Sequence, residues 1–324
     1  EMLDTQVVVS PAPHIKDVIT TEKAMKMVML ALLPATLFSV IAFGFKALGL
    51  IVCSMVFAVA TEYTIQKALK KPVTVYDGSA ALTGLLLALT VTPELPWWMI
   101  AVGAVVSIGL GKHIFGGLGY NMFNPALIGR AFLLASWPVA MTTWSWPSKA
   151  LGWAGNQVDA VSGATALNLE KMGMLKTLNL EIPYANLLWG NISGSLGETS
   201  AVLLLIGGLY LIVTKVIDWR IPVSFLGTVF VLSLVFQKDP IFQVLAGGIF
   251  LGAFFMATDW VTSPVTKKGR IYFGIGCGVI TMLIRIFGGY PEGVCYSILI
   301  MNAVTPLLDR LTVPKRFGEV KAHA

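Results

Sequence analysis

Apolar residues fall in ten long runs, at roughly 25–45, 47–66, 77–92, 97–116, 124–143, 199–217, 221–237, 240–258, 270–289 and 292–309. Polar and charged residues sit mostly in the gaps. A helix rises about 1.5 Å per residue, so a run of some 20 residues matches the roughly 30 Å hydrocarbon core of a bilayer. Within each run the apolar residues are continuous rather than alternating, which excludes the in–out pattern of a transmembrane β-barrel. The pattern predicts an all-α polytopic membrane protein of about ten transmembrane helices. One gap is long: residues 144–198 mix Trp, Pro, Gly, Asn and charges and contain no run able to cross. A connection of that length is commonly functional. The chain thus divides into an N-terminal tail 1–24, a first five-helix membrane half 25–143, a loop 144–198, a second five-helix half 199–309 and a C-terminal tail 310–324.

Composition sharpens this reading. Of the 324 residues 56% are hydrophobic and only 12% charged, with mean hydropathy +0.78, against roughly 25% charge in soluble domains. A soluble globular enzyme is excluded. The 32 glycines, with Ala, Ser and Thr inside the apolar runs, suit helices that pack backbone to backbone in lipid. Residues 1–23 are mixed polar and lack the apolar core of a secretory signal peptide.

A net charge of +6 would suggest nucleic acid in a soluble protein, but here the basic residues follow membrane sidedness, and no nucleic-acid partner is expected. With an even number of spans, one side holds both tails. That side collects all of the 23 Lys and Arg except Lys46, Lys149, Lys171, Lys176, Lys238 and Arg285. By the positive-inside rule both termini are cytoplasmic and the long loop is extracytoplasmic. The segment Asn124-Pro125-Ala126-Leu127-Ile128-Gly129-Arg130 in the first half also parallels Ser263-Pro264-Val265-Thr266-Lys267-Lys268-Gly269-Arg270 in the second. Two five-helix halves with an odd number of crossings each would be related by inverted topology. Cys53, Cys277 and Cys295 are isolated and form no CxxC, so neither a metal site nor an iron–sulfur cluster is expected.

The stretch richest in chemistry is Asp159-Ala160-Val161-Ser162-Gly163-Ala164-Thr165-Ala166-Leu167, in the long loop. Gly163 and Ala164 leave the Thr165 hydroxyl open to an approaching phosphate or modifying enzyme. Taken alone, the same residues suit a helix start, with Ser162 or Thr165 as N-cap. Trp144, Trp146, Trp153, Tyr184 and Trp189 in this loop suit either a planar ring to stack on or an interfacial aromatic belt. Glu62, Asp259 and Arg285 are ionisable groups within apolar spans and so candidates for function, beside the alternatives of ion pairing or snorkelling to the interface. Asp77, Asn121, Asn124 and Asn302 place further polar groups near span ends, and His113 beside Lys112 reads as a cytoplasmic interfacial residue.

The residues 159–165 resemble a flavinylation motif, Asp-x-x-Ser/Thr-Gly-Ala-Thr, in which the last Thr carries FMN through a phosphoester. Three further stretches point the same way: Val9-Ser10-Pro11-Ala12-Pro13-His14, Tyr76-Asp77-Gly78-Ser79-Ala80-Ala81-Leu82-Thr83-Gly84 and Gly119-Tyr120-Asn121-Met122-Phe123-Asn124-Pro125-Ala126. Together they resemble the D subunits of Rnf complexes, the ion-translocating ferredoxin:NAD⁺ oxidoreductases, from about residue 7 to about 310. The resemblance implies a multi-pass subunit of a bacterial inner membrane, inactive alone, that relays electrons within a complex moving Na⁺ or H⁺ outward. It implies FMN on Thr165, with Asp159, Ser162, Gly163 and Ala164 as the motif around it, and a second, non-covalent flavin such as riboflavin. As partners it implies other Rnf subunits, including a second covalent-FMN subunit and iron–sulfur subunits, a flavin transferase for maturation, and membrane lipid. The B subunit of the Na⁺-translocating NADH:quinone reductase is similar, with a usually longer N-terminal extension. The rival from another class is a urea- or ammonium-type channel, which has no use for a flavinylation motif; a structural anchor for partner subunits is the third. No Gly-rich dinucleotide fingerprint is present, so NAD binds elsewhere.

Overall fold

A computed structural model describes residues 20–147, 165–174, 182–198, 200–290 and 292–314. All regular structure among them is helical. In chain order the first half has α1 (Thr21–Phe43), α2 (Phe45–Ala68), α3 (Ser79–Leu89), α4 (Trp97–Ile108), α5 (Pro125–Ser136) and α6 (Pro138–Thr142). Two short helices, α7 (Ala166–Lys171) and α8 (Tyr184–Trp189), lie in the long connection. The second half has α9 (Ala201–Val213), α10 (Arg220–Val235), α11 (Pro240–Leu245), α12 (Ile249–Leu251), α13 (Lys267–Phe287) and α14 (Val294–Leu311).

Local chemistry explains the boundaries. Thr20, Asn124, Asp239 and Thr266 each accept the first free N–H groups of α1, α5, α11 and α13 on a side-chain oxygen. Pro125 and Pro240 follow at the first helical position, where a missing N–H costs nothing. α1 and α2 are divided by Gly44 alone, at φ 74°, a conformation that a side chain would strain.

Helix overlaps every one of the ten apolar runs, but the runs are not equivalent. α1, α2, α13 and α14 are long and apolar enough to cross a membrane by themselves. Leu30, Leu33, Leu37 and Ile41 make an exposed apolar stripe along α1, as a lipid-facing surface requires. α3, in contrast, has 11 residues and is buried on nearly every side, and α11 and α12 are separate short pieces. α4 and α12 each run on into a π-helical turn, Gly109–His113 and Gly252–Met256. The short elements α3 and α12 form the centre of the molecule, a place where broken helices expose backbone groups without meeting lipid.

Residues 192–198, expected as part of the extracytoplasmic loop, are buried. The N–H groups of Leu196 and Gly197 donate to Val91 O (3.0 Å) and Leu89 O (2.7 Å), satisfying carbonyls at the open C-terminal end of α3. A Cβ on Gly197 would fall 2.7 Å from that of Leu89, so only glycine admits this approach.

Small residues also set the α10–α13 contact. A Cβ on Gly274 would meet Ser224 Oγ and lie 2.7 Å from Ile221 O, and one on Gly278 would lie 2.6 Å from Thr228 Cβ. Gly274→Leu is expected to cost at least about 1–3 kcal/mol through overpacking, read as a lowered thermal midpoint in detergent. Gly227→Leu on the same α10 has nothing within 4 Å and is expected to leave the midpoint unchanged.

Candidate functional site

Thr165 is the residue of its motif that the fold describes; Asp159, Ser162, Gly163 and Ala164, like Trp153, lie outside the described residues. Thr165 is 6% exposed and is the N-cap of α7, its Oγ1 accepting from Asn168 N at 3.3 Å. The cap uses the oxygen as acceptor, so the hydroxyl hydrogen, the atom that esterification replaces, is not part of it. The helix-start geometry and a phosphoester are therefore chemically compatible.

α7 is fastened to the second half along its length. Leu167 packs with Leu187, Ile192, Phe242 and Ala246. Glu170 accepts from Gln243 Nε2 at 2.6 Å and pairs with Lys238 at 3.3 Å. Lys171 donates to Gly288 O, and its burial lowers the ammonium pKa from the ordinary lysine value. Arg285 stands behind this contact. Its guanidinium donates to Gln243 O, Gln243 Oε1, Ala246 O and Glu292 O, so it is held by carbonyl oxygens, and it fixes the turn that receives α7.

One turn beyond Thr165, Asn168 borders a cavity of about 50 Å³ with Arg130, Trp144, Glu292, Tyr290 and Tyr296. The Tyr290 and Tyr296 rings stack at 6.3 Å and 30°. At a liquid-water share of about 30 Å³ this space holds a water or two rather than a ring; its wall is aromatic, with the Arg130–Glu292 ion pair on one side. Of the loop aromatics singled out in the sequence, Trp144 alone among the described residues lines this cavity. Tyr184 donates to Asp239 at the outer surface, which raises its pKa, and Trp189 is exposed. Tyr290 and Tyr296 carry no sequence signal, because nothing in the turn before α14 ties them to a segment over 120 residues away.

A second polar region lies near the other ends of the central helices. The π turn after α4 turns Lys112 inward, where its ammonium donates to Glu62 Oε1 (2.7 Å), Glu62 Oε2 (2.8 Å) and Ser79 Oγ (2.7 Å). Gln66 Nε2 adds a bond to Glu62 Oε1 at 3.0 Å. Glu62 is thus ion-paired and does not snorkel. His113, expected at the interface, is instead buried, with Nε2 3.8 Å from Glu62 Oε1. Lys112 and Arg130, counted in the sequence as charges of the cytoplasmic gaps, are buried within the bundle as well. Each has carboxylate partners on other elements, and this permits its removal from water.

Lys112, Ser79, Asn121, Asn124 and Asp259 border a cavity of about 340 Å³ whose other walls include Leu82, Leu86, Phe254 and Phe255. Asn124 closes it between the halves. Its Nδ2 donates to Met256 O (3.2 Å), at the end of the second π turn. Asn302, with its amide oriented to suit, accepts from Asn124 N at 3.1 Å. Asp259 accepts from Thr262 Oγ1 at 3.1 Å, and Asp77 accepts from Ser79 N and Oγ at 2.8 and 2.6 Å.

Residues 8–318 match the model of a family described as NQR2, RnfD, RnfE. The chain is 49% identical over 322 residues to the D subunit of the proton-translocating ferredoxin:NAD(+) oxidoreductase complex of Clostridium ljungdahlii, covering 96% of both chains. It is 47% identical over 324 residues to the D subunit of the Na(+)-translocating ferredoxin:NAD(+) oxidoreductase complex of Acetobacterium woodii, covering 99% of this chain and 98% of the relative. It is 39% identical over 317 residues to the D subunit of the ion-translocating oxidoreductase complex of Methanosarcina acetivorans, covering 98% and 99%.

Proposed function

Because this chain belongs to the NQR2, RnfD, RnfE family, we infer that it is the D subunit of a membrane complex that couples ferredoxin:NAD⁺ electron transfer to ion translocation. The observation that carries this reading is near-full-length identity of 47–49% to two chains named as that subunit. The chain works as one part of a redox-driven translocase.

Its own contribution, in this reading, is to hold flavin. Thr165 offers an ester-forming oxygen on a helix that Glu170, Lys171 and Leu167 fix in place. The aromatic residues Trp144, Tyr290 and Tyr296 next to Asn168 offer stacking surface at the rim of a space too small for the ring itself. FMN attached through its phosphate supplies one- and two-electron chemistry with its ring chemically free, tuned by such surroundings. The cavity of about 340 Å³ is of small-cofactor size. With Lys112, Asn121, Asn124 and Asp259 as polar contacts and apolar walls, it is the place for the second, non-covalent flavin.

The architecture belongs to the same proposal: ten crossings, both termini cytoplasmic, and the 144–198 connection on the far side. An inverted repeat equates the third span with the eighth. These are the two short, central ones, α3 and α11–α12, which supports inversion better than the Asn124 and Ser263 segments, since the fifth and ninth spans run in the same direction.

Two measurements test the reading. Membrane vesicles from cells lacking this chain are expected to lose ferredoxin-dependent NAD⁺ reduction and its coupled ion uptake, and to regain both with the full-length chain. Undiminished activity without the chain would overturn the role. A reporter active only outside the cytoplasm is expected to work when inserted in residues 175–181 and to fail when fused after Ala324. The opposite pattern would invert the topology.

A further inference from the structure

A second set of buried charges lies where α5, the 192–198 segment and the turn before α14 converge, and the electron-carrying role makes no use of its two carboxyl groups. Arg130 Nη2 donates to Glu292 Oε2, and Arg130 Nη1 is 3.9 Å from Glu198 Oε1. The Glu198 side chain is only 3% exposed. Its Oε2 receives a long bond of 3.5 Å from Ser195 N, and a Cβ on Gly248 would fall 2.6 Å from its Oε1, so the carboxyl lies directly on the Gly247–Gly248 turn. Among the described residues, Glu198 Oε1, Glu292 Oε1 and Arg130 Nε are all buried without a hydrogen-bond partner.

Two carboxylates therefore face one guanidinium, which is hydrogen-bonded to Glu292 and only near Glu198. The remaining groups that face them do not make up the difference. Arg285, on α13, spends its N–H groups on carbonyls and on Gln243 and acts on the carboxylates only through space. Cys295 and Tyr296, on α14, are neutral in their ordinary state, and Ser195 contributes its hydroxyl and a long backbone N–H bond, whose pull is weaker than the burial that opposes it. Glu170, on α7, is taken up by Lys238 and Gln243. Two carboxylates held around one cation, out of water, are most readily accommodated by sharing a proton.

We propose that Glu198 and Glu292, held around Arg130, form a reversible proton-binding site with the exchangeable proton on Glu198. A proton on either carboxyl turns one of the unpartnered acceptors into a donor, and Glu198 is the one that lacks a direct bond to Arg130 to hold its charge. The adjoining cavity of about 50 Å³, bordered by Arg130 and Glu292, has room for a water to deliver and remove it. Burial and the like charge of Glu292 push the Glu198 carboxyl up to about 7, against the pull of Arg130 and of Ser195. The site is thus half loaded near neutral pH, protonated below it and ionised above.

The test is infrared difference spectroscopy of the purified complex titrated through about pH 7, following the C=O stretch of a protonated carboxyl and its shift in D₂O. Wild type is expected to show a band that disappears as pH rises through neutrality, and E198Q is expected to lack it. E292Q removes the like charge and is expected to keep the band with its midpoint lowered by roughly one pH unit or more. A band of full amplitude in E198Q, or a midpoint unmoved or raised in E292Q, would overturn the proposal. The measurement does not need a flavin: the same band is expected in Thr165→Ala protein, so failure of the flavin assignment leaves this result standing.

Discussion

Thr165→Ala protein, matured beside a flavin transferase, is expected to be dark under ultraviolet light after denaturation, and lighter than wild type by FMN less one water. Denaturation strips any flavin held by contacts alone, so a fluorescent band reports the ester bond. Ferredoxin-dependent NAD⁺ reduction is expected to fall to background, because an electron relay with one carrier missing has no partial rate. The fold is expected to survive. Loss of the N-cap costs about 1 kcal/mol, while α7 stays fastened through Glu170 to Lys238 and Gln243 and through Leu167 in its apolar cluster. Two companions separate the roles that Thr165 combines. Thr165→Asn keeps a capping oxygen but offers no hydroxyl, and is expected to be as dark as Thr165→Ala with α7 intact. Thr165→Ser keeps both functions and is expected to retain the band. Fluorescence persisting in Thr165→Ala and Thr165→Asn alike would place the attachment on another residue.

The second large effect is structural. Lys112→Met leaves the Glu62 carboxylate buried at 1% side-chain exposure with only Gln66 as hydrogen-bond donor. An uncompensated charge of this kind costs about 3–5 kcal/mol, most of it desolvation that the lost partner no longer offsets. Glu62→Gln leaves the Lys112 ammonium without its counter-charge, on an amide oxygen and Ser79 Oγ, and is expected to destabilise on the same scale. The double variant Glu62→Gln/Lys112→Met removes both charges and is expected to recover at least half of the loss, a coupling that only residues in contact show. Thermal midpoints of the four proteins in one detergent measure this directly. Single variants within about 1 kcal/mol of wild type would mean that water reaches the pair, because exposed ion pairs contribute no more than that.

The first effect follows from a contiguous motif, but the second cannot be read from the residues alone. Glu62 and Arg285 stand out in the sequence as charges in apolar runs, but whether each meets lipid, water or a partner is decided by residues far away in the chain. Lys112 comes 50 positions after Glu62, and Glu292 comes 162 after Arg130. Lys112 and Arg130 lie near the ends of their apolar runs and look like ordinary cytoplasmic charges, since a hydropathy pattern has no means to register a π turn that rotates one side chain inward, or the packing of α5 that buries Arg130. Glu198 and Glu292, the most informative carboxylates in the fold, lie in Gly-rich connections and read as loop polarity.

What the sequence determined by itself is whatever depends on short-range repetition. Run length against bilayer thickness sets helix and membrane, charge asymmetry argues sidedness, and contiguous motifs mark the Thr165 segment and the family. Tertiary structure alone decided that α3 and α12 are short and central, that residues 192–198 return to cap α3, that α7 is fixed by Glu170 and Lys171, and which buried charges meet. The reason is physical. In lipid a helix satisfies its own backbone within one segment, so its existence is local information. A buried charge or a broken helix end must find its partner across the bundle, and that choice exists only once the helices have packed.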